Sequence, residues 1–227
     1  MVKKEIGQII GEYPVVNFNE IVRRVNSREY AKQVVQRMIN KKQLTRIKKG
    51  LFTASNNALS VSSNIYCPSY ISFLAASQYY GLTEIIPRVI SVVTPNRYKP
   101  VEFKNYKIEF VYLNKIFGYH KKRRGKEVIV ISDLEKLMID AFLKPKHMGN
   151  FEEIKNVFKN AGHLDKKKLV EYLKKINSKK IYCQVWYMTE KYCKLDIKGA
   201  LQINKNYHDL NPFLRGKKIN TKWRLRI

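Results

Sequence analysis

The chain has 227 residues, 44% of them hydrophobic and 12% aromatic, which is enough apolar side chain to bury a core and excludes general disorder. Forty-five Lys and Arg stand against 18 Asp and Glu, a formal net charge of +27, well beyond what solubility requires, so a polyanion is the expected partner. The most apolar stretch, residues 85–94, is about half a membrane span and carries Arg88, so no membrane association is expected.

Residues 2–12 place Val2, Ile6, Ile9 and Ile10 on one helical face, and Pro14 stops that helix. A second helix is expected from Asn17, with Phe18, Ile21, Val22 and Val25 at core spacing and Asn17 or Asn19 as the cap. Ser27 then caps a third helix, in which Ala31, Val34, Val35 and Met38 repeat at i, i+3, i+4 and i+7. Two short extended runs follow, residues 44–48 and 51–54, joined at Lys49-Gly50, where glycine permits the positive φ of a tight hairpin. Three helices followed by a basic hairpin define the plan of a winged helix-turn-helix, assigned to residues 1–58.

Residues 55–64 (SNNALSVSSN) lack helical periodicity and read as a linker, placing a second, larger mixed α/β domain at 65–227 and making the whole an α+β protein. In that domain a helix is expected over 69–82, then strands over 89–94, 107–113 and 127–131. Ser132-Asp133-Leu134-Glu135 has capping-box spacing, with Ser132 as the cap of a helix reaching Leu143. Further helices are expected over 151–161, 166–176 and 179–192, and the tail, 221–227, alternates like a strand.

The outer face of the third helix carries Arg28, Lys32, Gln33, Gln36, Arg37 and Asn40. Gln and Asn offer the paired donor and acceptor that match adenine, Arg suits guanine, and Lys or Ser fixes register on phosphate. Ser27, Arg28, Lys32, Gln33, Gln36 and Arg37 are therefore the candidate DNA-reading residues. Arg46, Lys48 and Lys49 are the candidate phosphate contacts of the wing, with Ile47 and Phe52 holding the hairpin to its domain. Between Ser27 and Gly50 there are eight Lys and Arg and one acid, Glu29, a bias that an ordinary solvated helix face does not require. A second basic run, residues 120–126, reads either as a further phosphate contact or as a solvated hairpin tip.

Other chemistries fit less well. A metal-dependent nuclease needs an acid ahead of Glu-x-Lys; Glu102-Phe103-Lys104 has the spacing, but the first Asp of the chain is Asp133. An RNA-binding protein would use stacked aromatics, whereas the tyrosines here are spread along expected core faces. His120, His147, His163 and His208 are scattered, Cys67, Cys183 and Cys193 have neither disulfide nor zinc spacing, and no nucleotide-binding glycine loop occurs, so no metal, cofactor or catalytic residue is expected. An unpaired cysteine set and the absence of an apolar leader make a cytoplasmic protein the expectation.

Several segments together resemble the AbiEi-type antitoxin family, regulators of type IV toxin-antitoxin pairs. Residues 34–53 (VVQRMINKKQLTRIKKGLFT) look like that family's helix and wing, with Phe52 where Tyr is more usual. Residues 68–94 look like its entry into the second domain, 131–141 (ISDLEKLMIDA) like its following helix, and 210–227 (LNPFLRGKKINTKWRLRI) like its terminal strand. The resemblance implies a non-enzymatic repressor that binds inverted repeats of double-stranded DNA in its own promoter, two copies per site. It also implies opposition to a toxin of nucleotidyltransferase type without required direct contact.

Overall fold

The computed structural model describes residues 13–125, 127–203 and 205–227, so the helix expected over 2–12, and Lys126 of the second basic run, lie outside the described residues. Among the described residues the chain is a mixed α+β protein with eight α-helices and three sheets. It forms two compact units. Of the described residues, the first takes those up to Ile71 together with Arg88–Ile116 and His120–Ile131, and the second takes those of Ser72–Pro87, Phe117–Tyr119 and Ser132–Ile227.

The first unit opens with strand β1 (Val16–Asn17) and helix α1 (Phe18–Val25). Asn17 caps α1 through Oδ1, which accepts from the Asn19 amide at 2.9 Å, while Glu20 reaches back to the Asn17 amide at 3.1 Å. Asn26 ends α1 in the left-handed region at φ 52°, a conformation Asn tolerates, and Ser27 starts α2 (Arg28–Asn40) at once. The Ser27 hydroxyl accepts from the Tyr30 amide at 3.2 Å.

Strands β2 (Thr45–Lys48) and β3 (Leu51–Thr53) follow as a hairpin whose Gly50 sits at φ 78°. With β1 they make a small sheet in the order β1-β3-β2. Its buried side chains, Val16 and Phe52, pack with Ile21, Ala31, Val34, Val35 and Leu44 into one core, and Phe18, Val22, Val25 and Met38 close over it. Ile47 is buried as well. The apolar spacing expected of both helices thus forms the core, and hydrophobic burial fixes their mutual packing.

Residues 55–64 are not a linker. They contain a short helix, α3 (Ala58–Ser62), capped by Asn57, whose Oδ1 accepts from the Leu59 and Ser60 amides. Ser60, Ser62 and Ser63 of this segment are buried, not solvated.

Residues 69–82 also differ from expectation, since Tyr70–Ile71 is a strand, β4, and the helix, α4, is shorter, Phe73–Tyr79. An unbroken apolar run suits either element, and here β4 fills a slot between two strands. Tyr70 pairs with Val93 and Ile71 with Val92 on one side, antiparallel, while Ile71 pairs with Ile131 on the other, parallel. Both side chains are fully buried.

The sheet that β4 joins has six strands in the order β6-β7-β5-β4-β9-β8. These are β5 (Val89–Thr94), β6 (Val101–Phe103), β7 (Tyr106–Tyr112), β8 (Tyr119–Arg124) and β9 (Glu127–Ser132). β5 and β7 run parallel over six residue pairs, Val89 with Lys107 through Thr94 with Tyr112. The second basic run largely forms β8, an edge strand on which Lys121, Lys122 and Arg123 are exposed, and edge charge of this kind discourages pairing with another sheet.

In the second unit, α5 (Leu134–Leu143), α6 (Phe151–Asn160), α7 (Lys166–Ile176) and α8 (Lys179–Cys193) lie close to the expected spans. Residues Ile181 to Thr189 of α8 are all buried, which makes it the central helix of this unit. Ser132 does not cap α5. The cap position is Asp133, whose carboxylate accepts from the Tyr172 hydroxyl at 2.6 Å, and Glu135 accepts from the Asp165 amide at 2.8 Å instead of closing a capping box. The tail pairs only briefly, as β12 (Leu225–Arg226) between β10 (His208–Asp209) and β11 (Ile219–Asn220).

Candidate nucleic-acid interface

The exposed stripe of α2 and the β2–β3 hairpin bound one groove in the first unit, about 1440 Å³ in volume. Eight of the nine residues picked out from the sequence line it: Arg28, Lys32, Gln33, Gln36 and Arg37 from α2, and Arg46, Lys48 and Lys49 from the hairpin. Ser27 is not among the lining residues, and its hydroxyl is engaged as the cap of α2.

The helix presents this set because Ala31, Val34 and Val35 face the core, which turns Arg28, Lys32, Gln33, Gln36, Arg37 and Asn40 outward. Thirteen residues give a rod of roughly 20 Å. The hairpin is held beside it through the backbone, since β1 pairs with β3 (Val16 with Phe52, Asn17 with Leu51) and the Phe18 amide donates to the Gly50 carbonyl at 2.8 Å. These backbone contacts join the start of α1 to the hairpin tip, and Asn17 and Phe18 complete the groove between helix and hairpin.

The charge is one-sided, because with Lys41 the lining holds seven cations and no carboxylate. Several of the cations are supported by aromatic rings. The Arg28 guanidinium lies 5.6 Å from the Phe18 ring centre and that of Arg46 5.7 Å from Phe52, its partner across the hairpin. Glu29, the sole acid of the segment, is exposed and pairs with Lys32 at 2.9 Å, a contact solvent makes easy to exchange. Gln36 Nε2 donates to Asn40 Oδ1 at 2.9 Å, which leaves the acceptor of one amide and the donor of the other for an outside group.

Tyr66, Ile65 and Lys41 line the groove without having been singled out by the sequence. Tyr66 lies beyond α3, in a stretch whose local pattern gives no sign that it returns to the hairpin. Its ring stacks on Tyr98 with centres 3.5 Å apart and planes 7° apart, and meets Phe110 edge-on at 4.9 Å.

The residues weighed for metal chemistry are placed otherwise. Glu102 lies on β6 in register with Lys107 of β7, and Lys104 Nζ donates to Asn56 Oδ1 at 2.7 Å. Among the described residues no three of His, Cys, Asp and Glu come together as a metal-binding group, and no helix is long and apolar enough to cross a membrane.

No family model matches this chain, and no curated protein matches it in sequence. Among solved structures its fold is similar to the crystal structure of the RV2827C protein from Mycobacterium tuberculosis, with a TM-score of 0.62 over 99% of this chain and 90% of that one. The two are 8% identical, so the likeness concerns the fold alone.

Proposed function

We propose that this chain is a sequence-specific regulator that binds double-stranded DNA through a winged helix-turn-helix, with α2 as the reading helix and the β2–β3 hairpin as the wing. The observation that carries this reading is the groove, where amide side chains and cations from one exposed helical stripe stand beside a basic hairpin with no acid between them. A helix of this width fits the major groove, about 12 Å across, where Gln and Arg can address base edges while the wing lysines meet phosphates. The 45 basic residues of the chain supply the field that draws it to a polyanion.

Within that reading, the chain acts as the autorepressing antitoxin of a type IV pair. The support is the resemblance of residues 34–53, 68–94, 131–141 and 210–227 to the AbiEi-type family. Its DNA target is an inverted repeat upstream of its own reading frame, and its functional counterpart is a toxin of nucleotidyltransferase type.

The deciding experiment is a binding titration of the duplex immediately upstream of the reading frame against a scrambled duplex of equal length, repeated over a range of salt. A regulator of this type prefers the upstream duplex by about 10³-fold or more and weakens steeply with salt. Equal affinity for the two duplexes contradicts the proposal.

A further inference from the structure

The groove contains a second, finer arrangement at the end of the hairpin. Lys48 Nζ lies 4.3 Å from the centre of the Tyr66 ring and donates to the Tyr66 hydroxyl. Tyr66 is in turn fixed by its stack on Tyr98 and its edge contact with Phe110, and Tyr98 meets Phe110 edge-on at 5.8 Å. All four residues belong to the first unit, and only the two at the groove, Lys48 and Tyr66, line it.

This differs from an ordinary surface lysine. A free lysine loses rotamer freedom when it grips an anion. Here the ammonium is already held by a ring and a hydroxyl, and the ring is held by two further aromatics, so much of that ordering exists before any ligand arrives. The phenol oxygen is an acceptor toward Lys48, which leaves its own proton to donate, and a hydroxyl that accepts from a cation is a stronger donor outward. Lys48 keeps two further N–H groups. The pair thus offers donors only, beside the cations of the wing.

The geometry points to Lys48 and Tyr66 as a pre-ordered phosphate clamp, in which the ammonium and the phenol hydroxyl bind one backbone phosphate of the DNA. The clamp rests on the regulator reading for its ligand, and it names the group that is contacted. Base stacking is the less favoured use of Tyr66, since Tyr98 occupies one face of the ring and Lys48 stands over the ring as well. Phosphate contacts carry no sequence information, so the clamp acts equally on operator and on other duplexes.

That property separates the two claims experimentally. Wild type, Tyr66→Phe and Lys48→Met are titrated by fluorescence anisotropy with the upstream duplex, a scrambled duplex and a single-stranded thymidine 30-mer, at several salt concentrations. Tyr66→Phe keeps the ring stack and removes only the hydroxyl. It is expected to weaken both duplexes by the same factor, roughly tenfold, with the salt slope unchanged. Lys48→Met is expected to reduce the slope by about 0.9 on both. Tyr66→Phe binding both duplexes as wild type does overturns the clamp, as does a loss confined to the single strand, which would indicate stacking. A wild type that binds the two duplexes equally overturns the regulator reading while Tyr66→Phe still decides the clamp, and a wild type that binds neither overturns both.

Discussion

The Ser60 hydroxyl both donates to the carbonyl oxygen of Val128, at 3.0 Å, and accepts from the Val128 amide, at 3.2 Å, and so pairs with strand β9 as another strand would. Ser63 accepts from the Val130 amide at 3.1 Å, and Asn64 Nδ2 donates to the Val128 carbonyl at 2.8 Å. β4 pairs with β9 at Ile71 and Ile131, and these side chains of α3 and its end serve β9 nearer its start.

From this, Ser60→Ala is expected to cost about 1–2 kcal/mol, because the Val128 amide is left without its acceptor. Ser62→Ala is the control, since that hydroxyl donates within its own helix to Leu59 at 3.1 Å, and it should cost less than about 1 kcal/mol. Urea unfolding of both variants measures the difference, and equal losses would contradict the pairing role of Ser60.

Lys136 and Asp140 form a fully buried ion pair on α5, and the Ser72 hydroxyl donates to Asp140 Oδ2 at 2.8 Å. Replacing Lys136 takes an ammonium away from a carboxylate that stays buried. Lys136→Met alone should therefore destabilise the chain by about 3–5 kcal/mol, and Lys136→Met with Asp140→Asn should recover a large part of that while still offering Ser72 an acceptor. Denaturant midpoints of the two variants decide this. A double variant no more stable than the single one would show that the cost lies elsewhere than in the charge that Lys136 balances.

Asp209 and Arg226 make a two-point contact between β10 and β12, Nε to Oδ1 at 2.7 Å and Nη2 to Oδ2 at 2.9 Å, and the Gly216 amide also donates to Asp209 at 3.2 Å. The Arg226 hydrogen bonds, together with that amide, hold the Asp209 carboxyl down at about 2 from its ordinary 3.8. A depressed carboxyl stabilises the folded chain above its unfolded pKa, and the contribution disappears as pH falls through the folded value. The window is thus from about pH 4 down to about pH 2. Asp209→Asn should lose this acid-dependent component, so the gap in urea midpoint between variant and wild type narrows between pH 6 and pH 2.5. A gap independent of pH would contradict the assignment.

What could be read from the sequence divides along physical lines. The capping of α1 and α2 by Asn17 and Ser27, the turn at Gly50, and the outward stripe of α2 depend on residues within one or two turns of each other, and these were legible. The identities of α3 and β4 were not, because each is decided by strand β9, more than fifty residues away, which takes up serine hydroxyls in one case and an apolar dipeptide in the other. Ser132 illustrates the same limit, as its spacing suits a capping box but the distant Asp165 amide takes the Glu135 carboxylate and Asp133 holds the cap position. In the groove, the helix and hairpin residues announced themselves by composition, whereas Tyr66 enters through tertiary contact with Lys48 and Tyr98.

On the proposed reading, the exposed amide and guanidinium groups of α2 contact base edges. The most direct test of that reading is to measure the affinity of wild type, Gln33→Ala and Arg37→Ala for a complete set of single-base variants of the bound upstream duplex. Each substitution should flatten discrimination at one or two adjacent positions, by about 1–3 kcal/mol there, and leave the other positions as they were. Uniform weakening at every position, with the pattern of preference intact, would mean that these side chains touch only the backbone and that α2 is not the reading element.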